Sequence, residues 1–304
     1  MSALVLRAGE RELRCEPGRP LIMGVLNATP DSFSDERGAN TLAERLRRAE
    51  RLLADGADVL DIGGESNVTN RPAVAVQEEI ERVAPLVERV VRDFGAVVSV
   101  DTYKPAVAEA AVAAGASIVN DISGLADAAL ADVCAATGTA LVIMHTPVRP
   151  KQQSLDDDRF GDVAAEVAGW LRERHPLARD RGVADEQIVL DPGPDFGKTP
   201  AQTVAVLRGL DALHALGRPL LMAVSRKDFV GAIVQRRPRE RLAGTLAAVA
   251  HVADAGGHLL RVHDVREVAD FLAVRAVLRG EAPLAAGARV PEHLRREPVD
   301  RAAR

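Results

Sequence analysis

Residues 21–35 read LIMGVLNATPDSFSD, and this stretch decides the fold class. Its first part, Leu21 to Leu26, is apolar and uncharged, which is typical of a strand buried on both faces in a parallel sheet. Its second part begins at Asn27 and is rich in small polar residues. A buried strand that leads into a polar loop at its carboxyl end is the unit from which α/β enzymes build active sites.

This unit of strand and loop repeats along the chain. Apolar runs occur near residues 21–27, 58–63, 96–101, 117–122, 139–145, 187–192, 219–225 and 259–263. Helix-like segments alternate with them, at residues 41–55, 77–93, 104–114, 126–136, 161–181, 200–216, 239–255 and 265–279. Eight such units predict a TIM (β/α)8 barrel, and an open doubly wound sheet is the competing architecture.

Two shorter segments flank the repeats. Residues 4–15 alternate around Gly9 and Glu10, which predicts an N-terminal hairpin (residues 1–17) that covers one end of a barrel domain of residues 1–285. The Arg-rich tail, residues 286–304, lacks periodicity, and we expect it to be surface or disordered. A basic interaction arm is the alternative interpretation of this tail.

The composition narrows the functional class. The chain has 304 residues, 47% of them hydrophobic, so one large core is possible. The net charge of −5 argues against a nucleic-acid partner held by a general basic field. Cys15 and Cys134 have no metal-like spacing and no signal peptide precedes them, which favours the cytoplasm. No apolar run has the length of a membrane span, so we expect no membrane partner.

Polar groups follow each of the eight predicted strands. They are Asn27; Asp61 to Ser66; Asp101 and Thr102; Asn120 and Asp121; His145; Asp191 to Lys198; Ser225 to Lys227; and Arg261 to Asp264. The carboxyl ends of the strands meet on one face of a barrel, where active sites lie. Their accumulation at this end predicts an enzyme.

The predicted acceptors are Asp101, Asn120 and Asp191, on three different strands. If they converge, they suit a flat ligand edge with several N–H donors, such as an amino-pyrimidinone ring, because a carboxylate can accept two parallel hydrogen bonds. Met144 and Phe196 either belong to the core or form a wall against this ring.

The predicted donors are Lys227, Arg261 and His263, which can hold a carbonyl oxygen or a phosphate. They come from the last two strands, where TIM barrels often bind phosphate. Asn27 is a neutral oxygen ligand, and Mg²⁺ on a substrate diphosphate needs few protein ligands. The sequence therefore predicts a pocket with a heterocycle end and a diphosphate end.

Three of the polar residues have ordinary structural explanations. Asp61 and Asp121 are as well explained as helix caps or turn residues. His145 is explained as a side chain that bonds a loop. These alternatives stay open at the level of the sequence.

The motifs NATPDSFSD, DIGGES, SVDTYKP, NDISG, MH, LDPGPDFGKT, SRKDFVG and RVHD, in this order, resemble those of dihydropteroate synthase, from about Leu21 to Leu278. The resemblance implies a TIM barrel, a homodimer, and a transferase of folate biosynthesis. Its reaction joins 6-hydroxymethyl-7,8-dihydropterin diphosphate to p-aminobenzoate and releases pyrophosphate. It also implies roles for individual residues: Asp101, Asn120, Asp191 and Lys227 hold the pterin, with Met144 and Phe196 nearby; Arg261 and His263 hold the diphosphate; and Asn27 helps to bind Mg²⁺.

The chain departs from the family pattern mainly in two loops, and at Asp195 in a third. GGES usually continues as TRPG, whereas here Asn67 and Val68 stand at the threonine and arginine that help to form the p-aminobenzoate and pyrophosphate side. Thr69 or Arg71 are the candidates to replace them, and we assign Arg71 to substrate binding. Residues 146–151 replace a usual Met and Gly, and Asp195 is unusual in its glycine-rich loop.

Three alternatives to an active synthase stay open, and the altered loop at Asn67 to Arg71 motivates the first of them. The chain is then a paralogue that binds the pterin diphosphate with another nucleophile or none, a pterin-binding methyltransferase that uses methyltetrahydrofolate, or a non-catalytic folate-binding protein. A methyltransferase needs no residues that hold a diphosphate. The presence of Asn27, Arg261 and His263 therefore argues against this class of protein.

Overall fold

A computed structural model describes residues 3–16, 18–29, 41–66, 72–152 and 154–296. An antiparallel hairpin, β1 (Leu4–Ala8) and β2 (Arg11–Cys15), precedes a sheet of eight parallel strands. These strands are β3 (Leu21–Asn27), β4 (Val59–Gly63), β5 (Val97–Asp101), β6 (Ile118–Asp121), β7 (Ala140–Met144), β8 (Ile188–Asp191), β9 (Leu221–Met222) and β10 (Leu259–Val262).

The eight strands form a nearly closed barrel. Their order is β8-β7-β6-β5-β4-β3-β10-β9. An isolated parallel bridge from Leu190 to Leu220 joins the two edge strands, and the amide of Leu190 donates to the carbonyl of Pro219 at 2.9 Å. The predicted TIM barrel is thereby confirmed, and the open sheet is wrong.

Helices connect the strands on the outside of the barrel. They are α1 (Leu42–Ala54), α2 (Val76–Phe94), α3 (Pro105–Ala113), α4 (Ala129–Thr137), α5 (Val163–Asp180), α6 (Pro200–Arg208), α7 (Asp211–His214), α8 (Asp228–Val234), α9 (Leu242–Asp254) and α10 (Val265–Leu278). Short 3-10 turns occur at Asp185–Gln187, Pro238–Glu240 and Glu292–Leu294. Among the described helices, none has both the length and the apolar character needed to cross a membrane.

Two helices differ from the prediction. The segment 200–216 is divided into α6 and α7 at Gly209, where a Cβ atom would lie 2.5 Å from the Cβ of Ala164 on α5. Residue 209 approaches α5 so closely that it must be glycine. The helical segment is interrupted at this residue. Helix α8 was not predicted, because its seven residues are too few for a periodic pattern to stand out.

The interior of the barrel changes from apolar to polar along each strand. Val59, Val97 and Ile118 pack against the hairpin residues Leu6 and Cys15 at the amino end of the barrel. Side chains two residues further on lie on the same side of a strand, so the next inward positions are those of Asp61, Ser99 and Asn120. The hairpin therefore closes the amino end, as predicted, and the carboxyl end is left for polar chemistry.

The C-terminal tail is described as far as residue 296. Residues 286–296 are almost all exposed, and residues 297–304 lie outside the described part of the chain. Its assignment as a separate surface or disordered segment stays a prediction.

Candidate active site

The predicted acceptors lie at the carboxyl ends of three strands. Asp101, Asn120 and Asp191 end or nearly end β5, β6 and β8, and all three are buried. In the strand register Asp101 is the partner of Asn120, and Asp191 is the partner of Met144. Neighbouring strands therefore place these residues side by side at the open end of the barrel.

Arg261 connects the acceptors to the donors. Its Nε donates to Oδ2 of Asp61 at 2.6 Å, and its Nη2 donates to Oδ2 of Asp101 at 2.8 Å. Burial opposes the positive charge of Arg261, but the carboxylates of Asp61 and Asp101 outweigh this effect and raise its pKa. Arg261 therefore links the acceptor set to the donor set within one charged network.

Asp61 belongs to this network and is not a helix cap. Its side chain is completely buried, and it accepts weak hydrogen bonds from Nδ2 of Asn120 at 3.4 and 3.5 Å. The side-chain oxygen of Asn120, by contrast, has no hydrogen-bond partner within the described chain. A buried acceptor without a donor is costly, so Asn120 is prepared to receive an N–H group from a ligand.

Asp191 is buried at the carboxyl end of β8. The amide of Gly193 donates to its Oδ1 at 2.7 Å. Burial raises the pKa of Asp191 to about 6, although the bond from Gly193 and the charge of Lys227 act in the opposite direction. This carboxylate therefore titrates near neutral pH and gains from any ligand that donates to it.

Lys227 is held against the loop that follows β8. Its Nζ donates to the carbonyl of Pro194 at 2.9 Å and lies 4.4 Å from the centre of the Phe196 ring. Asp195 joins the same loop to α8, since it accepts hydrogen bonds from Thr203 and from the amide of Asp228. The unusual Asp195 is thus explained as a link that places Lys227 beside Phe196.

A second lysine, Lys198, organises the same loop from inside. It is 1% exposed, and its Nζ donates to the carbonyls of Gly193 at 2.9 Å, Phe196 at 3.2 Å and His145 at 3.4 Å. Burial lowers the pKa of Lys198 to about 7, while the nearby Asp191 raises it. Lys198 therefore ties the loop after β7 to the loop after β8.

His263 is paired with Ser225 on the neighbouring strand end. The Ser225 hydroxyl lies 3.0 Å from Nδ1 of His263 and accepts the backbone N–H of His263 at 3.2 Å. Burial, together with Arg261 and Arg226, lowers the pKa of His263 to about 3, so the ring is neutral. A Ser225 hydroxyl that donates to Nδ1 leaves the proton on Nε2, where it can be donated to a ligand.

Other candidates lie outside this network. His145 packs on Trp170 with ring centres 5.0 Å apart, and Asp121 accepts the amides of Ser123 and Leu125, so both have structural roles. Asn27 ends β3 and is half-buried. Arg71 lies outside the described residues, as do Asn67 and Val68, and its assignment stays a prediction.

A cavity of about 1190 Å³ opens above the network. Its lining includes Tyr103, Phe196, Lys227, Arg261 and His263, together with residues of the loop after β7. This volume slightly exceeds the usual range for a drug-sized ligand, so two substrates can be held together.

The sequence places Asp61, Lys198 and Ser225 at strand ends but gives none of them a specific role. The signal for Asp61 is its position inside β4, two residues after Val59, because alternate residues share the inner face. No comparable signal marks Lys198, which follows a glycine-rich loop as an ordinary helix-preceding lysine does.

Comparisons with known proteins agree with this architecture. The family described as "Pterin binding enzyme" matches residues 23–263. The chain is 40% identical over 252 residues to the dihydropteroate synthase of Bacillus subtilis (strain 168), covering 83% of this chain and 86% of that protein.

Solved structures give the same result. The Xanthomonas albilineans dihydropteroate synthase with 4-aminobenzoic acid superposes with a TM-score of 0.84 at 40% identity, over 92% of this chain and 100% of that one. The enzyme from the same organism in complex with 7,8-dihydropteroate gives 0.82 at 39% identity, over the same shares.

Proposed function

Because the chain belongs to the dihydropteroate synthase family of pterin-binding enzymes, we propose that it transfers a dihydropterin methylene group from the diphosphate to p-aminobenzoate. The observation that carries this proposal is the barrel-end cavity lined by Lys227 and Arg261, whose guanidinium group is bonded to the buried carboxylates of Asp61 and Asp101. The titles of the Xanthomonas structures, one with 4-aminobenzoic acid and one with 7,8-dihydropteroate, support a second substrate and a product of this kind.

The pterin site consists of Asp101, Asn120 and Asp191 as acceptors. The unpaired side-chain oxygen of Asn120 and the free capacity of the Asp191 carboxylate suit the N–H groups of an amino-pyrimidinone edge. Phe196 lines the cavity and can pack against a flat face of the ring, whereas Met144 is almost completely buried at the end of β7. Lys227 supplies a cation to a ring nitrogen or carbonyl oxygen.

The leaving diphosphate is held by Arg261 and His263. Arg261 uses Nε and Nη2 for Asp61 and Asp101, so its remaining nitrogen, Nη1, is the group that donates to a phosphate oxygen. When the Ser225 hydroxyl donates to Nδ1 of His263, the ring proton lies on Nε2, and the neutral ring donates from that atom. Both donors are fixed before substrate binds, so little reorganisation is needed as negative charge develops on the leaving group.

The bond changes require no strong base. The bond between the pterin methylene carbon and the diphosphate oxygen breaks, and the electron pair leaves with the diphosphate. The amine nitrogen of p-aminobenzoate forms the new carbon–nitrogen bond and then loses a proton to water. An arylamine nitrogen is already neutral at pH 7, which agrees with a neutral His263.

Mg²⁺ is proposed as the cofactor, with Asn27 as its protein ligand. No group of three or more His, Cys, Asp or Glu side chains that suits a metal ion occurs among the described residues. One amide oxygen beside a substrate diphosphate fits Mg²⁺, which retains water and needs few protein ligands. When bound, Mg²⁺ would neutralise negative charge on the diphosphate.

We further propose that the enzyme is a cytoplasmic homodimer. Both cysteines, Cys15 and Cys134, are free and buried, as expected in a reducing compartment. Val274 and Leu278 on α10 are large exposed apolar side chains that a second subunit can cover. Sedimentation equilibrium, which gives the mass in solution, tests the dimer.

The experiment that tests the reaction is pyrophosphate release from the dihydropterin diphosphate with Mg²⁺, with and without p-aminobenzoate. Release that depends on p-aminobenzoate, together with a dihydropteroate product, supports the proposal. Slow release without this dependence contradicts it and favours a paralogue that uses another nucleophile or none.

A further inference from the structure

A cluster of four charged side chains lies where the loops after β4, β5 and β7 meet. Lys104 Nζ is 2.5 Å from Glu65 Oε2 and 2.6 Å from Glu79 Oε2, and Lys151 Nζ is 3.3 Å from Glu65 Oε1. All four side chains are at most 13% exposed. We call Glu65, Glu79, Lys104 and Lys151 the clamp, and its two carboxylates balance its two ammonium groups.

The clamp also holds backbone on both sides of residues 67–73. Lys151 donates to the carbonyl of Ser66 at 2.5 Å. On the other side, the amide of Val74 donates to Glu65 at 3.1 Å, and the carbonyl of Val74 accepts from Lys104 at 2.6 Å. The same cluster therefore fixes the backbone at Ser66 and at Val74.

Lys151 is the member of the clamp that comes from the loop after β7. Its φ of +66° is in the left-handed region, which a lysine occupies only when its surroundings compensate for the strain. The bonds from its ammonium group to Ser66 and Glu65 provide this compensation. The contact joins the two loops in which the chain mainly departs from the family pattern.

Lys151 and Tyr103 line the cavity on one side, and the Tyr103 hydroxyl donates to Glu65 at 3.3 Å. The pterin acceptors lie on β5, β6 and β8, whereas Lys151 comes from the loop after β7 and bonds Ser66 and Glu65. We propose that Lys151 is a positioning residue for the second substrate, because through Ser66 and Glu65 it fixes the cavity wall against which p-aminobenzoate binds. This inference rests on the proposed function.

Three variants test it by steady-state kinetics of pyrophosphate release. Lys151→Met removes the ammonium group and keeps the length of the side chain. We expect it to raise the KM for p-aminobenzoate at least tenfold and to change the KM for the dihydropterin diphosphate less than twofold. Lys151→Arg keeps a cationic donor, and we expect it to bring the KM for p-aminobenzoate back to within threefold of wild type.

Arg172→Met is the control, since Arg172 is an exposed cation on α5 and belongs neither to the cavity lining nor to the clamp. We expect it to change the KM for p-aminobenzoate less than twofold. An equal effect of Arg172→Met and Lys151→Met would mean that the loss of any surface cation has this effect, and it would overturn the positioning role. Equal rises in both KM values for Lys151→Met, or no rise, would overturn it as well.

The wild-type protein separates this inference from the proposed function. A wild type without p-aminobenzoate-dependent release refutes the proposed function and, with it, the inference. An active wild type with an unaltered Lys151→Met variant refutes the inference alone. Melting curves of the three variants show whether any change in KM reflects partial unfolding.

Discussion

Nε of Arg261 donates to Oδ2 of Asp61 at 2.6 Å, although the two residues are 200 positions apart in the sequence. Their strands, β10 and β4, are the two neighbours of β3, so the ion pair crosses the inner face of one strand. The pair fixes the guanidinium inside the barrel before any substrate arrives. Asp61 therefore acts on the reaction through Arg261.

We predict that Asp61→Asn decreases kcat/KM by about 10- to 100-fold, since a charged hydrogen bond contributes about 1.5–3 kcal/mol. The amide keeps the shape of the carboxylate but removes its charge, so Arg261 retains one charged partner, Asp101. Pyrophosphate release measures the effect. Asp55→Asn is the matched control, because Asp55 pairs with the exposed Arg266 on the outer surface, and there we expect unaltered kinetics.

Lys227→Ala should weaken binding of the pterin, because a carbonyl oxygen or ring nitrogen loses a charged donor. We expect a loss of about 1.5–3 kcal/mol. Calorimetric titration with the dihydropterin diphosphate measures this value. Unaltered affinity would show that the pterin lies elsewhere in the cavity.

Because of Asp191, we expect the free energy of unfolding and the affinity for a pterin to change in opposite directions with pH. Its pKa is raised from 3.8 to about 6 in the folded protein. Between these values the folded protein retains a proton that the unfolded chain has lost, so the free energy of unfolding decreases as pH rises through this window. The decrease is on the order of 3 kcal/mol. Urea unfolding between pH 4 and pH 7 measures it, and Asp191→Asn should remove it.

The affinity for a pterin should instead increase with pH, because the ionised Asp191 accepts hydrogen bonds from the ring. With a pKa of about 6, the ionised fraction rises about tenfold between pH 5 and pH 7. The diphosphate titrates in the same range, so 6-hydroxymethylpterin without phosphate is the proper probe in calorimetry. An affinity independent of pH would place the pterin away from Asp191.

Lys198→Met should destabilise the protein and weaken pterin binding together. Three backbone carbonyls lose their donor, and we expect a decrease in the free energy of unfolding of about 2–3 kcal/mol. Gly193 and Phe196 belong to the loop that Lys198 holds. We therefore expect the hydrogen bond from Gly193 to Asp191 and the contact between Phe196 and Lys227 to weaken. Urea unfolding and calorimetry measure the two effects, and a variant as stable as wild type would contradict this role.

The sequence predicts the barrel well because every strand is marked twice, by an apolar run and by the polar group that follows it. It predicts the acceptors and donors for the same reason, since Asp101, Asn120 and Asp191 directly end such runs. Helix α8 and the break at Gly209 were missed because they depend on short length and on contact with Ala164.

The pairing of side chains was not predictable. Arg261 was assigned to the diphosphate from its charge and from the family resemblance, whereas its bonds to Asp61 and Asp101 depend on the order of strands around the barrel. The link from Lys151 to Ser66 likewise joins residues 85 positions apart. Such contacts depend on three-dimensional distance, which residue types and spacing do not contain.

The junction between β8 and β9 has a dynamic consequence. One isolated β-bridge, from Leu190 to Leu220, joins these edge strands. We therefore expect local opening of the barrel to begin at this junction. The amide hydrogen of Leu190 should then exchange with deuterated solvent faster than amides between β4 and β5. Asp191 lies at the end of β8, and Lys227 follows β9 in the chain. A pterin bonded to both residues would hold the two strands together and slow the exchange of this amide hydrogen.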